Sequence, residues 1–308
     1  MRAAGIEKLG GEVRLMALPE PRALVSDEVL IEVRAAGVAN WDEFVRVGGW
    51  EVGAQPPMAL GVEASGVVKA VGDRVSRWSP GGAVMTHPVP LREQGAWSES
   101  LIAAGEVLAS KPERVSWEEA AAFPVPALTA VQALGEVIVG DVDGPLLVHG
   151  AGGVTGGLVV ALARLRGVRV IATAGPRSNQ RLAGLGVEGI LDYHDPGWPQ
   201  AVRELTRGAG VSAAVNAAPA GEVQTLSTVA DAGRFATITG SPPPPERGIS
   251  IVDVYVRANG EQLQELAGLL AERELEVPIA DVYPLARAAD ALALTMRGGA
   301  GGAIVLRP

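Results

Sequence analysis

The sequence predicts an α/β protein, with a doubly wound parallel sheet joined to a β-rich domain. Three observations carry that prediction. Strand-like and helix-like segments alternate from about residue 119 onward. A buried strand at residues 146–149 runs directly into a glycine-rich turn and a helix, and the first 118 residues hold short strand-like runs between turn residues.

In the first part, residues 28–34 (Glu-Val-Leu-Ile-Glu-Val-Arg) alternate as a half-buried strand does, and residues 66–72 are a brief β-branched run. Residues 83–85 follow the Pro80-Gly81-Gly82 turn. At Ser116 the period changes. Ser116 precedes Trp117-Glu118-Glu119, a serine cap with an acid at the third helical position, ahead of an alanine-rich run. Beyond it we read strands at residues 146–149, 169–173, 189–192, 213–216 and 234–239, and helices at 153–166, 179–185, 198–207 and 223–229. Repeated strand-helix-strand units require a parallel sheet covered on both faces. Pro242 to Pro245 form a stiff extended connector that ends or bends this pattern. Residues 261–273 place apolar side chains at 263, 266, 267, 269 and 270 on one helix face, and residues 303–306 form a last short strand.

Composition removes whole classes of function. The 308 residues carry a net charge of −9 and contain no cysteine. The acidic balance gives no field to attract a phosphate backbone or an anionic leaflet, so neither nucleic acid nor membrane is expected as a partner. Without cysteine there is no thiolate nucleophile, iron-sulfur cluster or cysteine-rich zinc site, and His87, His149 and His194 are scattered, so no metal is expected. The apolar stretches 120–140 and 145–165 are broken by prolines, glycines, Glu136 and His149, and neither reads as a spanning helix. The opening residues Met1 to Lys8 carry an acid and no apolar secretory core, from which a cytoplasmic protein is expected.

Residues 146–157 read Leu-Leu-Val-His-Gly-Ala-Gly-Gly-Val-Thr-Gly-Gly. Such a strand-turn-helix aims backbone N–H groups and a helix dipole at whatever occupies the turn, and a pyrophosphate suits it. Gly150 permits the sharp turn and Gly152 lets the backbone approach the diphosphate, as in a Rossmann dinucleotide site. The third glycine of the G-x-G-x-x-G spacing is Thr155, with Gly156 one place late, a departure that bears on helix-strand packing more than on phosphate binding. The next strand ends in Thr173 and continues Ala-Gly-Pro-Arg-Ser-Asn-Gln-Arg. An NAD site places an acid at this end, whereas Arg177 here can meet a 2′-phosphate, so NADPH is the expected cofactor. In the plainer alternative, Arg177 and Arg181 only solvate an exposed helix start.

Several ordered segments resemble the medium-chain dehydrogenase/reductase superfamily, specifically its zinc-free quinone oxidoreductase-like branch. They are Gly37-Val38-Ala39-Asn40-Trp41-Asp42 with Arg46 and Gly48, residues 57–66 (Pro-Met-Ala-Leu-Gly-Val-Glu-Ala-Ser-Gly), and Val71-Gly72-Asp73-Arg74-Val75. Gln94 to Glu99, Glu118 to Pro124 with Leu128-Thr129-Ala130, the glycine turn, and Gly302 to Leu306 complete the series. The resemblance spans nearly the whole chain. It implies a GroES-like β domain of residues 1–118 and 254–308, a Rossmann domain of residues 119–253, and a homodimer.

By matching position, the resemblance assigns Gly150, Ala151, Gly152, Gly153, Val154 and Thr155 to the diphosphate. It assigns Arg177, Ser178 and Tyr193 to the adenosine-phosphate side, with Thr173 also at the cofactor. Thr129, Asn216, Thr239 and Gly240 fall near the ribose or nicotinamide. In the zinc-dependent branch the positions of Ala39 and Val62 hold a metal-binding Cys and His, which are absent here. A hydride acceptor not activated by a Lewis acid must spread its developing charge internally, as a conjugated C=C bond or a quinone does. The expected function is zinc-independent, NADPH-dependent reduction of an enone, enoyl group or quinone in a small apolar molecule. Metal-free alcohol or carbonyl redox chemistry and a non-catalytic NADPH-binding sensor are the alternatives.

Catalytic side chains are less defined. Some relatives carry Tyr at the position of Phe44, Asn at that of Ala39 and Lys at that of Ala303. Asn40, Asp42 and Tyr255 are the candidates. Asp42 reads first as a holder of its loop through backbone hydrogen bonds, and Tyr255 as readily as a packed strand residue. Trp41, Phe44 and Trp50 either wall an apolar substrate pocket or serve as core and rim aromatics. His149, at the end of a buried strand, reads as a structural histidine.

Overall fold

A computed structural model describes residues 1–140 and 144–308. The chain divides into two compact units, Met1–Val125 with Arg257–Pro308, and Pro126–Val256. In chain order the first unit opens with β1 (Arg2–Ile6), β2 (Arg14–Ala17), β3 (Glu28–Val38), α1 (Asn40–Val47), β4 (Met58–Ala59) and β5 (Ala64–Val71). It continues with β6 (Ala83–Thr86), β7 (Ser100–Ala104), β8 (Leu108–Ser110) and α2 (Trp117–Ala121). Next come α3 (Pro124–Val137), β9 (Leu146–His149), α4 (Val154–Leu165), β10 (Val170–Thr173), α5 (Asn179–Gly184) and β11 (Gly189–Leu191). Then follow α6 (Trp198–Leu205), β12 (Val211–Asn216), α7 (Glu222–Thr228), β13 (Val229–Thr237) and β14 (Ser250–Asp253). The chain ends with α8 (Gly260–Ala271), β15 (Ile279–Pro284), α9 (Ala288–Arg297) and β16 (Ala303–Arg307).

In the first unit the eleven-residue β3 is the spine of a sheet ordered β15-β16-β3-β5-β6-β8, with β7 also pairing β3 and a separate β2-β1-β4 sheet beside it. The final strand β16 pairs antiparallel with β3, Val305 opposite Gly37, so the last residues join the sheet built on β3. Helix α2 starts as its sequence demands. The Glu119 N–H donates to Ser116 Oγ at 3.1 Å and the Ser116 N–H donates back to Glu119 Oε2 at 2.9 Å.

Helix α8 buries Leu263, Leu266, Ala267 and Leu270 on one face. On its open side, a Cβ added at Gly268 would meet no atom within 4 Å. Gly268→Ala is therefore expected to stabilise the protein by about 0.5–1 kcal/mol, because alanine removes backbone entropy from the unfolded chain at no steric cost. A urea midpoint that does not rise at unchanged slope would count against this.

The second unit is the doubly wound sheet, ordered β11-β10-β9-β12-β13-β14 with every pair parallel. The chain leaves β9 toward β10 and β11 on one side and toward β12, β13 and β14 on the other, so the order reverses beside β9. Leu147, Ile171, Trp198, Val202, Ala214, Leu226 and Phe235 form part of its core.

Two elements differ from the sequence reading. Of the two readings of the proline run, the bend holds, and beyond it the chain returns as β14, a strand the sequence reading did not include, parallel to β13 with Phe235 opposite Ile251. Four residues on a partly buried edge are too few to show a period. Helix α7 also passes into β13 without a loop. Arg247 bonds both sides of this junction, donating from Nη2 to Leu226 O at 2.8 Å and from Nη1 to Val229 O at 2.6 Å, which satisfies carbonyls at the helix end.

Candidate dinucleotide site

The turn after β9 is shaped by close packing. Gly150 has φ +82°, a conformation other residues rarely adopt. A Cβ at Gly156 would lie 2.3 Å from Gly150 O and 2.8 Å from Gly150 C, both backbone atoms. The glycine that lets helix and strand meet is thus Gly156, and the helix start at Gly153 rather than the G-x-G-x-x-G count sets its place. Among the described residues, the backbone N–H groups of Gly152, Val154, Thr155 and Gly156 find no acceptor, whereas Gly153 N–H bonds Gly150 O. Ala151 is buried and its N–H donates to Thr173 O. A turn with free donors at a helix start fits a diphosphate.

Arg181 is part of this turn. Its Nη2 donates to Gly152 O at 2.8 Å, and its guanidinium fills the space above Gly157. It therefore does not merely solvate a helix start. Ser178 Oγ lies at 3.5 Å from the same carbonyl. Arg177 is exposed, in the turn after β10, and has no ion-pair partner among the described residues. The rings of Tyr193 and His194 lie together, centroids 4.0 Å apart, against Gly175. An acid does stand near this end of the sheet: Asp192, directly after β11. Its Oδ1 accepts from the His194 N–H at 3.0 Å and contacts His194 Nδ1 at 2.6 Å, and these bonds hold its carboxyl below the usual range.

Polar side chains pair at the ends of β9 and β10, and separately at the ends of β12 and β13. Thr173 Oγ1 accepts from the Gly150 N–H at 3.1 Å and meets His149 Nδ1 at 2.7 Å. His149 stacks on Trp198 with centroids 4.9 Å apart, and burial lowers its pKa despite the opposing charge of Glu222. Asn216 is fully buried and donates from Nδ2 to Thr237 Oγ1 at 3.2 Å. Thr239 Oγ1 donates to Glu222 Oε1 at 2.8 Å. A Cβ at Gly240 would come 3.4 Å from the Tyr255 hydroxyl, and the Gly240 N–H bonds the Asp253 carboxyl, which burial raises. Tyr255 lies beyond β14 and is 61% exposed, so it is not a packed strand residue. Thr129 is buried in α3.

In the first unit, Asn40 is exposed at the start of α1 and Phe44 is 48% exposed on the same helix. Trp41 is half-buried, with its Nε1 enclosed and unpartnered among the described residues. Asp42 is fully buried. Its Oδ2 accepts from the Ala39 N–H at 2.8 Å, the Gly61 N–H also reaches it, and burial pushes its carboxyl up to about 8. Glu63 accepts from the Val125 N–H at 3.0 Å, and burial, with the nearby Asp42 charge, raises it well above its ordinary value. His87 contacts Val62 O at 2.7 Å through Nδ1. A carbonyl only accepts, so Nδ1 carries the proton. Burial lowers the His87 pKa to about 4, and its ring centroid is 6.0 Å from that of Trp50.

Comparison with known proteins sets these features in a family. The alcohol dehydrogenase GroES-like domain family matches residues 25–126, and the zinc-binding dehydrogenase family matches residues 185–306. The chain is 29% identical to the quinone oxidoreductase of Sus scrofa over 329 residues, covering 99% of this chain and 98% of that one. It is 32% identical over 298 residues to erythronolide synthase EryA2 of Saccharopolyspora erythraea, where 92% of this chain spans 8% of the synthase. Two solved structures superpose over 100% of both chains: an NAD-dependent alcohol dehydrogenase (TM-score 0.86, 29% identity) and mycobacterial Rv1454c complexed with NADPH (TM-score 0.85, 27% identity). The chain belongs to the medium-chain dehydrogenase/reductase superfamily, in its quinone oxidoreductase-like branch.

A medium-chain oxidoreductase of this kind binds a nicotinamide cofactor and acts on small molecules. Among the described residues of this oxidoreductase, no three His, Asp or Glu side chains gather as a metal-binding group, and no helix is long and apolar enough to cross a membrane. Sequence reasoning missed Arg181 as a turn residue, Glu222, and the buried Glu63 and His87. Glu63 belongs to the Gly61-Val62-Glu63 segment that carries the family resemblance, but its burial depends on strands that only the fold brings together.

Proposed function

We propose that this oxidoreductase uses NADPH, without a metal ion, to reduce an activated C=C bond of an enone or enoyl group, or a quinone, in a small apolar molecule. The observation that carries the reading is the pair Ala39 and Val62, side chains that cannot ligate a metal, at the positions where zinc-dependent relatives hold Cys and His. The cofactor, when bound, supplies the hydride. The free N–H groups of Gly152, Val154, Thr155 and Gly156 receive its diphosphate, assisted by the helix dipole of α4. Arg177 meets the 2′-phosphate, with Ser178 and Tyr193 beside it, while Thr173 holds the turn through Gly150. Trp41, Phe44 and Trp50 offer an apolar surface to the substrate, and Asn40 a polar group at its rim. Asp42 holds the start of α1 rather than moving a proton, because it is fully buried and its Oδ2 accepts the Ala39 N–H that precedes the helix. The completing proton comes from water or Tyr255. The same proposal takes the protein as a cytoplasmic homodimer.

The test is cofactor oxidation, followed by absorbance, on a panel of enones, quinones, alcohols and aldehydes before and after exhaustive chelation. Turnover of enones or quinones that survives chelation is expected. Loss on chelation, turnover of alcohols or aldehydes alone, or binding without turnover on every acceptor would overturn the proposal. For the phosphate preference, Arg177→Ala should weaken NADPH binding about tenfold or more while changing NADH little, because a hydrogen bond to a charged group contributes about 1.5–3 kcal/mol. Equal losses for the two coenzymes would remove Arg177 from the site.

A further inference from the structure

Dinucleotides bind outside the carboxyl ends of the strands where a doubly wound sheet changes direction. Here that point lies beside β9, with the glycine turn and Arg177 toward β10. If the adenosine half lies on that side, the other half crosses the ends of β12 and β13. There the side chains form a one-way chain of hydrogen bonds. Glu222 can only accept, so Thr239 Oγ1 donates to its Oε1 at 2.8 Å. Thr239 Oγ1 must then accept from Thr237 Oγ1, at 2.9 Å, and Thr237 accepts from Asn216 Nδ2 at 3.2 Å. Every proton in the chain points toward Glu222. Its carboxylate is thus aimed by the half-buried Thr239, itself set by the buried Thr237 and Asn216, yet among the described residues no cation pairs with it and Oε2 has no donor.

Resting on the cofactor reading above, we propose that Glu222 accepts the hydroxyls of the nicotinamide-side ribose, and that Asn216, Thr237 and Thr239 are positioning residues that aim it. A vicinal diol supplies the two O–H donors that a carboxylate lacking a counter-ion can take, the chemistry by which acids at Rossmann strand ends hold a ribose. The competing view treats Glu222 as a first-turn acid that only favours helix α7.

Calorimetric titration with three probes separates them: NADPH, 2′-phospho-ADP-ribose, which keeps the second ribose but lacks nicotinamide, and 2′,5′-ADP, which lacks both. Glu222→Ala should weaken the first two about tenfold and leave 2′,5′-ADP unchanged, the loss of a charge-assisted acceptor. Glu222→Gln, which still offers an amide oxygen, should stay within about threefold of wild type, and Thr239→Val should fall between the two. Equal weakening of all three probes, or no weakening of any, would overturn the assignment to the ribose. Wild-type protein that binds none of them would instead overturn the cofactor reading on which it stands.

Discussion

Gly156→Ala is expected to destabilise the Rossmann unit by about 2 kcal/mol and to weaken coenzyme binding at least about tenfold. Two effects oppose each other. Alanine improves helix propensity over glycine by up to about 1 kcal/mol, and Gly156 lies in the first turn of α4. Against this, the new Cβ would sit 2.3 Å from Gly150 O and 3.0 Å from Ala151 Cα. These are backbone atoms, which cannot rotate away as a side chain can. The helix must back off from the strand by most of an ångström, and overpacking of this kind costs about 1–3 kcal/mol and occasionally more. The same movement shifts the N–H groups of Gly152, Val154 and Thr155, which the cofactor proposal assigns to the diphosphate. Urea unfolding and coenzyme titration read the two losses. Wild-type behaviour in both would mean that the turn is not held by this contact.

Stability is expected to fall as pH rises toward about 8, steepest between about 6.5 and about 8. Asp42 has an ordinary value of 3.8, and burial pushes it up to about 8 in the folded protein. Across that window the native chain holds a proton that the unfolded chain releases. Folding therefore loses stability with rising pH, by at most about 1.4 kcal/mol per pH unit for one group. Glu63, also raised, acts with the same sign. His87 acts with the opposite sign. Its folded value is lowered from 6.5 to about 4, so below about 6.5 the unfolded chain binds the extra proton, and stability from this group rises with pH. The contributions offset one another in the acid range and leave Asp42 and Glu63 alone above it. Asp42→Asn keeps an oxygen for the Ala39 and Gly61 N–H groups and should flatten the slope between pH 6.5 and 8. Denaturant unfolding at a series of pH values measures it. A slope unchanged in the variant would show that Asp42 enters the folded state already ionised.

The strand-turn-helix at residues 146–165 was legible because its information is local: a four-residue apolar run, glycines where bulk is forbidden, and a helical period after them. The Ser116 cap was legible for the same reason. What escaped was anything made by residues distant in sequence. Arg181 bonds Gly152 across 29 positions, and Thr239 bonds Glu222 across 17. Neither pairing leaves a spacing signal, since it depends on which strands lie side by side. The count of the glycine motif misled for a related reason: the contact that demands a glycine is set by where α4 starts, and the turn places that start at Gly153.

Composition and short-range pattern were enough to establish the fold class, the glycine-rich strand-turn-helix and the lack of metal-ligating side chains at positions 39 and 62, because each follows from residue type and period along a single segment. The charge states of Asp42, Glu63 and His87, and the direction in which Glu222 is aimed, came only with packing. They are consequences of solvent exclusion and of hydrogen-bond geometry between strands, and neither quantity exists until the chain has closed on itself.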